Sequence, residues 1–400
     1  MKSLVVILAA LSLTATAAAS EGKSVPPQAI EGYALARSYA PGEIGRIVLL
    51  GRTTGARVRV FHAGLERSDA MPAKELLGAP VPASVTVSTK EARVRIGAWQ
   101  SGLYFARIDS PAGHAYAPFV VRPRRLGEHR IAVVLPTNTW AAYNFRDGNH
   151  DGVGDTWYAD PRLSVELDRP FQGGGVPPHY AQYDLLFLRW LARTGKQVDV
   201  LTDDDLERVP SGRALARAYD LVVFSGHHEY VTTHEYDVAE SYRDLGGNLM
   251  FLSANNFFYR VVRTGAMLHR VGRWRDLGRP EAALVGVQYL DWNHGEFGNG
   301  AYVVRTAGWP FTGTGLRAGS SFGTYGIEID APTSASPRNL RILATVPNLF
   351  GRGRSANMTF YTTSRGAKVF AAGTINFGGT ALWRPAAAVL ENVWNALATP

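Results

Sequence analysis

The chain has no cysteine among its 400 residues. Disulfides, thiolate nucleophiles, cysteine-ligated zinc and cysteine-ligated iron–sulfur clusters are therefore excluded. After the first twenty residues there is no apolar run long enough to span a bilayer. Basic residues are not clustered. The formal charge is +8, but the densest group is only Arg122, Arg124 and Arg125, broken by Pro123. A nucleic-acid groove needs a concentrated basic face, so no nucleic-acid partner is expected. A P-loop pattern is also missing.

What is present points to a folded protein. Hydrophobic residues make up 46% and charged residues 19%, a globular balance, and the length suits two or three domains. Met1–Ser20 opens with Lys2, continues through an apolar stretch from Leu4 to Leu13, and ends in Ala17-Ala18-Ala19. This pattern predicts a secretory signal over residues 1–19, and hence an exported, periplasmic or extracellular protein.

The rest divides into two regions. Residues 28–125 hold short β-rich segments, among them Arg46–Leu50, Arg57–His62, Ser84–Ser88, Ala92–Ile96 and Leu103–Ile108. Turn residues separate them, which predicts an immunoglobulin-like β-sandwich. Pro123–Gly127 reads as the linker. From residue 128 to 400, buried-strand runs alternate with helical periodicity. Ile131–Leu135, Val198–Leu201, Asp220–Phe224, Asn248–Leu252 and Ala367–Gly373 are the strand candidates. The expected fold is a doubly wound α/β parallel sheet. Residues 283–347 are rich in glycine, aromatics and strand formers, and read as an insertion laid over that sheet.

In open parallel sheets, ligands bind beyond the carboxyl ends of the strands. Those ends carry Thr137–Asn144, Ser225–Tyr230, Ser253–Asn256 and Thr374–Phe377. Asn144, Asn255 and Asn256 are candidates to contact substrate. Gly226–Glu235, GHHEYVTTHE, is the most chemically loaded segment. Its imidazoles and carboxylates could ligate a metal or could simply cap the following helix. A zinc hydrolase using His227, His228 and His234 is one reading. Asp147–Asp155, DGNHDGVGD, spaces Asp147, Asn149, Asp151 and Asp155 like an oxygen-rich calcium loop, but Tyr158 stands where a bidentate Glu is required. Asp160 could substitute for it, and the alternative is an ordinary Asx/Gly turn.

Four segments taken together resemble a known family: TWAAYN (139–144), YDLLFLRWLARTGKQVDVLTDDDL (183–206), YDLVVFSGHHEY (219–230) and GGNLMFLSANNFFY (246–259). They are similar to the C-terminal catalytic region of the N,N-dimethylformamidase large (beta) subunit family, from about Ile131 onward. The resemblance implies a glutamine-amidotransferase-like sheet, without the cysteine nucleophile of those enzymes. It further implies one ferric ion held by two tyrosinates and a glutamate. Tyr143 and Glu229 match two of these ligands. Tyr183 is the choice for the second tyrosine, with Tyr180 as the alternative. His227 would either support the ligands from behind or act as a general base, and Glu328 would be a further acidic catalytic position. The implied reaction is hydrolysis of a C–N bond in a small amide, with a homo-oligomer or a small partner subunit. The competing reading is a non-catalytic exported protein that binds carbohydrate or polymer through Trp292, Phe297, Trp309 and Phe322.

Overall fold

The computed structural model describes residues 28–158, 163–294 and 296–399. The signal segment 1–19 and Asp160 lie outside them.

The first region is two stacked sheets. One has four strands, Ile30–Ala34, Ile44–Gly51, Glu91–Arg95 and Ser84–Val87 in spatial order, and the other has five. Strand Gly102–Ser110, in the five-stranded sheet, shows how the sequence builds the packing. Side chains alternate across a strand. Tyr104, Ala106 and Ile108 face the four-stranded sheet, joining Ile47, Leu49 and Val94. Leu103 and Phe105 point the other way and join a core with Val133, Leu188 and Trp190 of the second region. A continuous apolar layer therefore welds the sandwich to the second region. The buried pair Arg189–Glu66 (2.5 Å) and the Arg37–Asp204 pair (3.0 Å) reinforce that junction.

Five parallel strands form the centre of the second region: β1 (Ile131–Leu135), β2 (Asp199–Thr202), β3 (Leu221–Phe224), β4 (Asn248–Phe251) and β5 (Lys368–Ala371), in the order β2-β1-β3-β4-β5. Their runs are continuously apolar because both faces are covered. Val133, Leu221, Val223 and Met250 pack on one side with Trp190 and Trp394 from helices Leu185–Arg193 and Ala386–Leu397. Val134, Val222 and Phe251 pack on the other side with Leu215 and Val238 from helices Gly212–Ala218 and Thr233–Asp244. Thr232 and Glu235 close the start of the last helix in a reciprocal capping box.

The segment 283–347 behaves differently from the expectation. It is not laid over the sheet. Ala356–Thr362 pairs antiparallel with β5, and Arg341–Val346, Gly300–Val304 and Ser321–Tyr325 extend the same sheet to nine strands. Alternating apolar residues such as Tyr302 and Val304 indicate strands but not their partners. Only Gln288–Trp292 and Glu328–Ala331 leave the main sheet, as a separate antiparallel pair. No helix among the described residues is long and apolar enough to cross a membrane.

Candidate functional site

The site is assembled at the carboxyl ends of the parallel strands. After β1, helix Thr137–Ala142 runs for six residues and Tyr143 caps it, its N–H bonded to Thr139 O at 2.9 Å. After β3, the chain turns through Gly226 to His227, His228 and Glu229. These two loops are stitched together. Thr139 Oγ1 accepts the Glu229 N–H at 3.1 Å, and Asn138 Nδ2 donates to Tyr230 O at 3.3 Å. Gly226 is required here, because a Cβ at that position would lie 2.3 Å from Asp184 Oδ1 and 3.0 Å from Pro136 Cγ. After β4, Asn255 adopts a positive φ of 54° and its N–H donates to Asp330 Oδ1 at 2.8 Å. After β5, Thr374 bridges to Ile329 and the Ile375 N–H donates to Glu328 O at 3.2 Å, which fixes Glu328.

Four of the expected residues meet directly. The Tyr143 hydroxyl donates to Glu229 Oε2. His227 Nε2 lies 3.4 Å from Glu229 Oε2 and 3.5 Å from Glu328 Oε2. Tyr183 lines the same small cavity as Tyr143 and His227. Tyr180 does not share that cavity lining: its phenol is raised by burial and then by the charges of Glu66, beside Arg189 at the sandwich junction, and of Asp184. Of the two tyrosines left open by the sequence, Tyr183 is the one at the cavity.

Burial sets the electrostatics. It pushes the Glu229 and Glu328 carboxyls up, and the Glu229 charge raises Glu328 further. Burial, then Glu229, holds the Tyr143 phenol well above its ordinary value, and burial followed by Glu328 does the same for Tyr183. His227 is driven down to about 3, again chiefly by burial. The protein alone thus favours neutral forms of all five groups.

A metal fits this donor set. His227 Nε2 and Glu328 Oε2 are buried without a hydrogen-bond partner, as is Asn255 Oδ1. Leaving such atoms unpaired costs about 1–3 kcal/mol each. Phenol and carboxyl oxygens are hard donors, and a cation among them reverses the preference for neutral forms. No group of three or more His, Asp or Glu among the described residues is arranged to hold a metal, so such a set would have to draw on the tyrosine oxygens.

Other expectations fare differently. Asn144 does not offer its amide to the cavity. Its Oδ1 accepts the Gln172 N–H at 2.9 Å and its Nδ2 donates to Pro170 O at 2.8 Å, which pins two loops. Asn256 Nδ2 is tied to Ser253 O at 3.1 Å. The three histidines of the zinc reading do not converge. His228 points at Phe224, with Nδ1 3.1 Å from Gly226 O, while His234 Nε2 sits 2.7 Å from Val209 O. In the Asp147 loop, Asp147 Oδ1 and Oδ2 accept the N–H groups of Asp151 and Gly152, and Asp155 Oδ2 accepts that of Gly148. Asn149 Oδ1 also accepts the Asp151 N–H. Only the last spans two residues, as an Asx turn does; the others tie the loop back on itself. Phe322 is core, and Trp309 packs edge-on against Phe360, so two of the four platform aromatics are occupied.

Sequence reasoning missed two residues beside the cavity. Asp184 lines it, with one buried oxygen unpartnered and the other accepting from Trp140 Nε1 at 3.3 Å. Its place directly after Tyr183 is the signal that could have found it. Tyr158 packs edge-on against Tyr143, with ring centroids 5.5 Å apart, whereas the calcium-loop pattern marks it only as a missing ligand.

A family profile described as N,N-dimethylformamidase beta subunit-like, C-terminal, matches residues 83–383. The chain belongs to this family. The match begins inside the sandwich, well before Ile131, so this dimethylformamidase-like region includes strands of the five-stranded sheet as well as the α/β core. Two relatives are N,N-dimethylformamidase beta subunits from Alcaligenes sp. and Paracoccus aminophilus. Each is 32% identical over 115 residues, which is 29% of this chain and 15% of the relative's length. Among solved structures, the titin M4 domain (16% identity, 24% of this chain, 99% of that chain) and a DUF4784 family protein from Bacteroides caccae (14% identity, 23% of each chain) align with a TM-score of 0.17. A score that low carries no argument about the fold.

Proposed function

We propose that this chain is an exported hydrolase that cleaves the C–N bond of a small amide, with one iron(III) held by Tyr143, Tyr183 and Glu229. The observation that carries the reading is the convergence of Tyr143, Tyr183, His227, Glu229 and Glu328 on one buried spot, from segments far apart in the chain. Membership of the dimethylformamidase-like family supports it. Export rests on the leader-like Met1–Ala19, and a small partner subunit or a second copy rests on the relatives' designation as beta subunits.

Bound iron supplies Lewis acidity toward an amide carbonyl oxygen. The chain's own residues do the rest. His227 Nε2 faces both carboxyls and has no other partner, so it takes the proton from an attacking water. The water oxygen bonds to the carbonyl carbon. Glu328, 3.5 Å from His227, relays the proton to nitrogen as the C–N bond breaks, which releases an amine and a carboxylic acid. Asn255 supports both carboxyls in this arrangement. Thr139 holds the Glu229 backbone in register with Tyr143.

The test is amine release from N,N-dimethylformamide and related small amides by the iron-loaded chain. Wild type should turn over, and His227→Ala should lose at least about 100-fold in rate, the usual scale for a general base. Absence of turnover by iron-loaded wild type across small amides would refute the reading.

A further inference from the structure

Two exposed aromatic side chains from separate parts of the chain stand beside residues of the site, one against Tyr143 and one opposite Glu328, and the chemistry described above uses neither. Tyr158 comes just after the Asp147 loop, held by the Trp157 N–H to Ala142 O bond (3.0 Å) and by Thr156 Oγ1 donating to Ala142 O (2.8 Å). Its ring is edge-on to Tyr143 and tilted against Phe145, both at 5.5 Å, yet 53% of the residue remains exposed. Its phenol is raised first by burial and then by the charge of Glu328, and it in turn raises Tyr183. It therefore stands on the solvent side of Tyr143, close enough to Glu328 and Tyr183 to feel their charge.

Trp292 reaches the same place by a different route. In the antiparallel pair, Trp292 is directly opposite Glu328. Directly opposed residues share a face, with Cβ atoms about 5 Å apart. Glu328 turns toward His227, so Trp292 rises beside it on that face, and it is 41% exposed. Among the described residues its ring contact is with His294, at 4.3 Å. Two large rings left uncovered beside a buried acidic cavity are poorly explained by packing, because exposed aromatics are normally scattered singly.

We propose that Tyr158 and Trp292 form an aromatic mouth that binds a planar, apolar substituent of the amide substrate, so that the preferred substrate class is a ring-bearing amide such as an anilide. This rests on the hydrolase reading for the position of the amide, but the mouth itself is read by binding. An amide group seated against His227 and Glu328, which themselves lie 3.5 Å apart, leaves its N-substituent directed outward, where the two rings offer stacking and edge contacts. Aromatic pairs of that kind add affinity beyond burial of area.

The experiment is equilibrium binding of acetanilide and of N,N-dimethylformamide to the full iron-loaded chain, in wild type, Tyr158→Ala, Tyr158→Phe and Trp292→Ala. Both residues are exposed, so the variants should fold, and circular dichroism checks this. Wild type should prefer acetanilide. Tyr158→Ala and Trp292→Ala should each lower the affinity ratio of acetanilide to dimethylformamide about tenfold, and Tyr158→Phe, which keeps the ring, should hold it. No preference for acetanilide in wild type, or an unchanged ratio in both alanine variants, would overturn the proposal. If acetanilide binds in a ring-dependent manner but neither amide is hydrolysed, the mouth stands and the hydrolase reading falls.

Discussion

The junction between sandwich and α/β core includes a buried ion pair, Arg189–Glu66, whose cost of disruption can be worked from the geometry. Arg189 is 1% exposed at its side chain and Glu66 6%, with Nε–Oε1 at 2.5 Å, and Arg189 Nη2 also donates to Ala70 O at 2.6 Å. Replacing Glu66 by Ala leaves a guanidinium buried without its counter-charge. Breaking such a pair from one side costs about 3–5 kcal/mol. An internal control lies one helical turn away. Arg193 pairs with Asp69 at 2.6 Å, but the two side chains are 42% and 86% exposed. Exposed pairs contribute about 0–1 kcal/mol, so Asp69→Ala should be nearly silent. Equilibrium urea unfolding of both variants should therefore show a difference of about 2–5 kcal/mol between chemically similar deletions. Replacing both Glu66 and Arg189 by apolar residues of similar size should recover much of the loss. The effect reaches the site, because helix Leu185–Arg193 begins just after Tyr183 and Asp184. Equal destabilisation by Glu66→Ala and Asp69→Ala would refute the reasoning.

Single contacts lead to three more expectations. Gly226→Ala should destabilise by about 1–3 kcal/mol, the cost of overpacking, since the new Cβ falls 2.3 Å from Asp184 Oδ1; unfolding midpoints and iron content should drop together. His62 stacks on Tyr104 at 4.2 Å, and burial holds it down to about 4. The lowered value means that its contribution is fully present above about pH 6.5 and is lost as pH falls toward 4, at most about 3 kcal/mol for a shift of this size. Thermal melting across pH 4–7 should show that slope, and His62→Gln should flatten it. Trp140 Nε1 donates to Asp184 Oδ2 at 3.3 Å, so Asp184→Ala should cost about 1–3 kcal/mol by orphaning a buried indole N–H, as read by urea midpoints.

How much of this was legible depended on the kind of signal. Ile131–Leu135 and Asn248–Phe251 stand out because strands buried on both faces carry unbroken apolar runs, and the helix from Thr233 is marked by Thr232, Glu235 and the Gly246-Gly247 stop. Partners were not legible. Tyr302 and Val304 look alike whether a strand covers the sheet or extends it. At the site, Tyr143, His227 and Glu229 came from motif resemblance, not from spacing, because they join through loops whose path no local pattern encodes. Tyr180 and Tyr183 differ by three residues in one helical turn, and only the packing of Tyr180 toward Glu66 and Arg189 separates them. Asn144 looked like a substrate contact because an exposed amide and a loop-pinning amide read identically in sequence.

The central claim is that two phenolate oxygens and one carboxylate share a ferric ion. Elemental analysis and a visible absorption spectrum of the same purified sample test it most directly. The account predicts about one iron per chain and a tyrosinate absorption band, both lost in Glu229→Gln, with the band weakened in Tyr143→Phe and Tyr183→Phe and retained in Tyr180→Phe. A colourless chain that takes up no added iron, or a band that disappears only when Tyr180 is replaced, would contradict it.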